Sequence, residues 1–184
     1  LEEQHHNTAA FNYSTGATPV FPINVLAKRA LNIEFEKVAS ISNTTGFMNA
    51  SIPAGNIYGT ADEVSRFYQM MLDGGNFNGK QLFEKETIKL ATKPAGPLTI
   101  DQTLMIPIRF STGFMLGENV FSLFGVKARK AYGHLGLINI VTWADPARDI
   151  SVAFLNTGKS LDPRSLPALG KVLVSVSSNC SVLK

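Results

Sequence analysis

The sequence predicts a mixed α/β fold of the α+β kind, with antiparallel strands and helices packed against them. Three observations predict it. Residues 60–75 carry a capped amphipathic helix, residues 136–156 two apolar strands around a turn, and residues 165–178 a second apolar-faced helix. The 184 residues fit one domain or a large part of one. Apolar residues make up 45% of the chain and charged residues 17%, which suits a sizeable core and not a disordered tail.

Residues 1–24 are polar and turn-rich, and Gly16, Pro19 and Pro22 break any helix there. Val25 to Ala30 reads as a short helical turn, and residues 31–57 as irregular structure. The first strong element begins at Thr60. Thr60 and Glu63 form a T-x-x-E capping box, each side chain satisfying a free backbone N–H at the helix start. Val64, Phe67, Tyr68, Met71 and Leu72 then recur at helical spacing as one apolar face. Asp73-Gly74-Gly75 ends the helix, since glycine takes the left-handed conformation without steric cost.

Glu84 to Ala91 reads as a shorter helix with acid in its first turn, where it favours the helix dipole. Residues 92–110 carry three prolines and read as an extended loop, followed by a strand at Thr112 to Leu116. The segments 137–144 and 150–155 are rich in branched and aromatic residues, and Asp145-Pro146-Ala147-Arg148-Asp149 supplies the turn of a hairpin. A last helix runs from Ser165, a possible cap, to Ser178, with Pro167 in its first turn and Leu166, Leu169, Val172, Leu173 and Val176 on one face. A hairpin needs further strands beside it. The sequence offers few, so its sheet reads as incomplete.

Net charge is +3. The densest basic stretch, Lys127-Ala128-Arg129-Lys130, reads as a solvated turn, so nucleic acid is not an expected partner. No apolar run approaches the roughly 18 residues of a membrane span, and the N-terminus does not read as a signal peptide. The single Cys180 excludes an internal disulfide and a cysteine-rich metal site. His5 and His6 lie in a polar terminus without a ligand set at metal spacing. No metal and no cofactor is expected. Sequons at Asn12, Asn43, Asn49 and Asn179 are compatible with a secreted chain and assign no compartment.

Several segments together carry a family resemblance. Residues 53–67, Pro-Ala-Gly-Asn-Ile-Tyr-Gly-Thr-Ala-Asp-Glu-Val-Ser-Arg-Phe, run on to Met71-Leu72-Asp73-Gly74-Gly75. They resemble the "PAGGLYSTADDLARFAQMLLNGG" segment of the serine hydrolases of the β-lactamase and penicillin-binding-protein superfamily. Gly79-Lys80-Gln81-Leu82-Phe83 with Glu86-Thr87 resembles that family's "G-x-x-L-L-S-x-E-T" link, and Gly113 to Gly117 its "G-L-G-F" strand. Tyr132-Gly133-His134-Leu135-Gly136 resembles its H-x-G strand, and Ala153 to Asn156 the end of the next. The match spans residues 53–178 in the expected order. It implies a β-lactamase/transpeptidase-like fold, present here in part: residues 1–52 an irregular segment of the helical and loop region, residues 53–184 the C-terminal part of the domain.

The resemblance also implies acyl transfer through an acyl-serine intermediate, on a small-molecule ester or amide. The family uses S-x-x-K on a helix, Y-x-N, and K-T-G or H-x-G on an inner strand. The third is present. By resemblance, His134 faces the site and hydrogen-bonds the substrate or the proton relay, and Gly136 lets substrate approach closely. The backbone N–H of Leu137 donates to the oxyanion, and Tyr132 contacts substrate. Ser181-Val182-Leu183-Lys184 matches S-x-x-K but falls after the last helix, whereas the family places this motif far upstream; it reads as coincidence. Tyr13-Ser14-Thr15 lacks the asparagine of Y-x-N, and Tyr13 reads as an ordinary loop aromatic.

The leading expectation is therefore the C-terminal portion of a serine acyl hydrolase (esterase, DD-peptidase or β-lactamase type), its nucleophile carried by an N-terminal half that acts as its partner. Histidine in place of lysine leans toward an esterase or peptidase-like member. The alternatives are a catalytically inactive β-lactamase-like scaffold for binding or assembly, and an unrelated α+β binding domain.

Overall fold

A computed structural model describes residues 35–159 and 165–183, apart from Ala54, Thr103, Phe121 and residues 137–139, together with Tyr13, Ser14, Val25, Lys28 and Ile33. In chain order the elements are β1 (Tyr13–Ser14), α1 (Phe35–Ser42), α2 (Thr45–Asn49), α3 (Ala61–Leu72), β2 (Asn76–Phe77), β3 (Lys80–Gln81), α4 (Lys85–Thr92), β4 (Thr99–Ile100), β5 (Pro107–Phe110), β6 (Met115–Leu116), β7 (Tyr132–Gly136), β8 (Ile140–Asp145), β9 (Ile150–Phe154), β10 (Gly158–Lys159) and α5 (Ser165–Asn179).

Strands β4 to β9 form one antiparallel sheet in sequence order, a meander. Strand alternation sends Val141 and Trp143 of β8 to one face and Thr142 and Ala144 to the other. Trp143 is stacked on Phe124 at 5.9 Å between ring centroids. It joins Val141, Met115, Ile108 and Leu173 of α5 in the larger apolar cluster. Across the sheet, Ala144 and Tyr132 meet Tyr68, Met70 and Met71 of α3. Helices thus cover both faces, the usual way for a two-faced sheet to bury its apolar side chains. Among the described residues no helix is long and apolar enough to cross a membrane.

The expected capping box of α3 is formed. Glu63 N–H donates to Thr60 Oγ1 at 3.2 Å, and Thr60 N–H donates to Glu63 Oε2 at 2.7 Å. The buried stripe is rotated from the expected one: Met70 is buried, whereas Phe67 is 43% exposed and meets Tyr68 edge-on at the stripe's border. Helix α3 lies across β8 and β9, which centres its contact on Tyr68 and Met71. In α5 the inward residues are Leu169, Leu173 and Val176, and Val172 stands 40% exposed. The side chain of Leu166 is outside the described residues.

The stretch expected to be irregular contains α1 and α2. Side-chain bonds to backbone help to organise it, and Ala39 and Met48 are buried. Thr44 Oγ1 accepts from Phe47 N–H at 3.3 Å. The Asn56 amide donates to Phe47 O at 2.7 Å and Ala50 O at 2.5 Å, and the Tyr58 hydroxyl donates to Ser42 O at 3.2 Å. The expected loop at 92–110 holds β4 and β5, so the sheet is fuller than the sequence suggested. Within Thr112 to Leu116 only Met115 and Leu116 are strand. Val25 and Lys28, the described residues of the expected early turn, are helical. Tyr13, expected in a loop, lies in β1, which pairs in parallel with β10.

One charged residue is a node of this architecture. Arg148, in the β8–β9 turn, is 5% exposed and uses all five of its N–H donors. It donates to Asp145 Oδ2 at 2.5 Å, Cys180 O at 2.9 Å, Val126 O and Ser177 O at 3.0 Å, and Lys127 O at 3.2 Å. The guanidinium therefore ties the turn, the loop before β7 and the end of α5 into one unit. Asp149 completes the turn with φ of 52°, a left-handed conformation that aspartate tolerates.

Candidate active site

The site is built on β7. Each strand residue points its N–H and carbonyl to one side of the strand, and the next residue to the other. Ala131 O accepts from Gly117 N–H at 2.7 Å, toward β6. By alternation Gly133 and Leu135 face the same way, and Tyr132, His134 and Gly136 face β8. Strand β6 pairs β7 only at Tyr132 and Gly133, whereas β8 pairs it from Tyr132 to Gly136. Among the described residues, the backbone of Leu135 therefore meets no partner strand. Among the described residues the second half of β7 is an open edge.

His134 stands at this edge, exposed, opposite Thr142. Its Nδ1 lies 2.8 Å from the carbonyl oxygen of its neighbour Leu135. A carbonyl only accepts, so Nδ1 carries the proton in this contact. In that tautomer Nε2 carries the lone pair and can accept a hydrogen bond. Thr142 is held in place by a buried hydrogen bond with the Tyr68 hydroxyl, 3.0 Å away. Burial raises the Tyr68 pKa, and the Thr142 bond offsets part of that rise.

Gly136 pairs with Ile140 of β8. A Cβ there meets Ile140 Cβ and Cγ2 at 3.2 Å, tighter than ordinary contact, so the bare backbone lets the Ile140 side chain lie alongside. Tyr132 shares the face of His134 but stands in the core. It is 5% exposed and packs against Phe114, with ring centroids 5.4 Å apart. Burial, and next the neighbouring Tyr68, push its hydroxyl up to about 12. Leu137 lies outside the described residues.

Sequence reasoning passed over Gly133. A Cβ on it overlaps the Thr142 carbonyl oxygen and comes within 2.5 Å of Trp143 Cβ, so only glycine lets β7 and β8 approach as they do. The Tyr-Gly-His spacing held the signal, because a glycine inside a strand marks a close approach. The S-x-x-K string at the C-terminus has Ser181 exposed in the tail beyond α5 and Lys184 outside the described residues. Ser181 to Leu183 are not helical. No group of three or more metal-ligating side chains occurs among the described residues.

The β-lactamase family model matches residues 2–173. The chain belongs to the β-lactamase family. It is 26% identical over 121 residues to the esterase/β-lactamase LipL of Mycobacterium tuberculosis, an alignment covering 65% of this chain and 26% of that protein. The fold is similar to that of a penicillin-binding protein homologue from Caulobacter crescentus (TM-score 0.73, 26% identity, 95% of this chain, 47% of the other). It is also similar to that of a family VIII carboxylesterase (TM-score 0.71, 18% identity, 98% and 46%). The chain therefore has the β-lactamase/transpeptidase fold in part, spanning about half the length of these solved relatives.

Proposed function

We propose that this chain is the C-terminal portion of a serine acyl hydrolase that cleaves a small ester or amide through an acyl-serine intermediate. The observation that carries the reading is the open half of β7, with Leu135 backbone facing outward and the His134 ring held across it by its own strand. In this reading the nucleophile and its lysine belong to a part of the protein outside residues 1–184. Family membership and the half-length match to solved relatives support that division.

Each residue then has a task. The extended substrate lies along the open edge. The serine oxygen attacks the acyl carbon, and the oxygen of that carbonyl gains negative charge. By the family resemblance the donor to it is the N–H of Leu137, a contact of the type worth about 3 kcal/mol in acyl transfer. His134 Nε2 accepts a hydrogen bond from the substrate or from the group relaying the serine proton, which ends on the leaving alcohol or amine as its bond to the acyl carbon breaks. Water then hydrolyses the acyl-serine. Gly136 adds no side chain of its own to the strand, where the Ile140 side chain lies alongside. Tyr132, in this scheme, supports the strand from beneath and does not touch the reacting atoms.

The test is the intact mass of the native protein with and without a fluorophosphonate probe, followed by His134→Gln. One adduct on a species or companion polypeptide larger than this chain, with turnover lost in the folded variant, supports the assignment. A native protein that takes no probe supports the inactive scaffold instead.

A further inference from the structure

A cleft of about 280 Å³, open to solvent, lies at the end of β7 away from His134. Its lining includes Thr92, Arg109, Leu116, Arg129, Lys130 and Tyr132. Arg109 and Arg129 converge on one carboxylate, Glu118, at 3.0 and 3.3 Å. Lys130 makes no ion pair among the described residues. Three cations around a single carboxylate leave the cleft positive. Thr92 ends α4, and the negative end of that helix carries at most about half a charge, too little to offset them.

Two donors in the lining lack partners. Arg109 Nε is buried and unbonded. Tyr132 is 5% exposed, and no described residue bonds its hydroxyl, which burial keeps protonated and able to donate. Buried polar groups are nearly always paired, so the unpaired Arg109 Nε in a cationic cleft calls for an acceptor. Guanidinium and ammonium groups together suit an oxyanion.

We propose that this cleft binds a small dianionic oxyanion, a phosphate monoester or a dicarboxylate, at a site separate from the acyl-transfer edge. Inorganic phosphate and malonate are titrated calorimetrically into the intact native protein at constant ionic strength. One saturable site is expected, weakened about tenfold or more in the doubly substituted Arg129→Gln, Lys130→Gln protein. Both positions are exposed, and the Arg129 ion pair with Glu118 is worth little to stability, so an unchanged melting curve is the control for folding. Tyr132→Phe weakens the same binding. Tighter phosphate assigns the phosphate ester, and tighter malonate the dicarboxylate. Binding that survives the double substitution unchanged, or no saturable binding of either anion, overturns the proposal.

Discussion

Replacing Arg148 by alanine removes a side chain that is 2% exposed and leaves Asp145, equally buried, without its counter-charge. Asp145 keeps one bond, from Ala147 N–H at 2.9 Å. Four carbonyl oxygens, on Val126, Lys127, Ser177 and Cys180, lose a donor at the same time. Breaking one member of a buried ion pair costs about 3–5 kcal/mol, and the stranded carbonyls favour the upper half of that range. In a domain of this size each kcal/mol moves Tm by about 2–4 °C, so a fall of about 10 °C or more is expected. Arg148→Lys separates the two contributions. Lysine restores the charge beside Asp145 but has three donors on a point, not five in a fork, and cannot reach all four carbonyls. It is expected to recover about half of the loss. Urea unfolding followed by circular dichroism gives both values if the slope against denaturant is unchanged. An alanine variant within about 1 kcal/mol of the parent refutes the node, and a lysine variant equal to the parent refutes the part assigned to the carbonyls.

Gly133→Ala is expected to cost about 3 kcal/mol or more, because its Cβ meets the backbone of β8, whereas Gly136→Ala meets only the Ile140 side chain and costs about 1 kcal/mol; denaturation midpoints rank the two. Tyr132 ionises at about 12 in the folded chain and near about 10 when unfolded. Between those values the unfolded state holds fewer protons, so this contribution is complete below about pH 10 and is lost as pH rises through 12, with a slope of about 1.4 kcal/mol per unit. Tyr132→Phe flattens that part of a stability profile measured from pH 9 to 12. Thr60→Ala removes the capping acceptor of α3 and is expected to cost about 1 kcal/mol in the same unfolding assay, with Thr60→Ser close to the parent.

The parts of this fold legible in the sequence are those in which one periodic pattern dominates. The α3 cap and the β8–β9 hairpin rest on local chemistry, so they could be read from a few neighbouring residues. Met70 and Phe67 exchange roles because the angle at which α3 crosses β8 and β9 is a tertiary fact. Helices α1 and α2 depend on Thr44, Asn56 and Tyr58 reaching back to carbonyls, a pattern that hydrophobic period does not carry. Strands β4 and β6 are two residues long and pair only because β5 and β7 are there. At the site, His134 and Gly136 stood out through the ordered family motifs. That β6 stops short and leaves Leu135 facing outward was invisible, since pairing partners have no signature in one strand's sequence. Arg148 could be read only as part of the hairpin turn, because the carbonyls it binds on residues 126, 127, 177 and 180 come from distant segments.

The meander has a kinetic side. Six strands that pair in the order of synthesis close short loops, apart from residues 117–131 between β6 and β7, and closure entropy grows only slowly with loop length. The sheet can therefore zip strand by strand from local contacts. Helix α3 docks differently: the Tyr68–Thr142 bond spans 74 residues, the kind of contact that slows a folding reaction. Substitutions within the β8–β9 hairpin should then slow refolding, whereas those at the α3 interface should chiefly hasten unfolding.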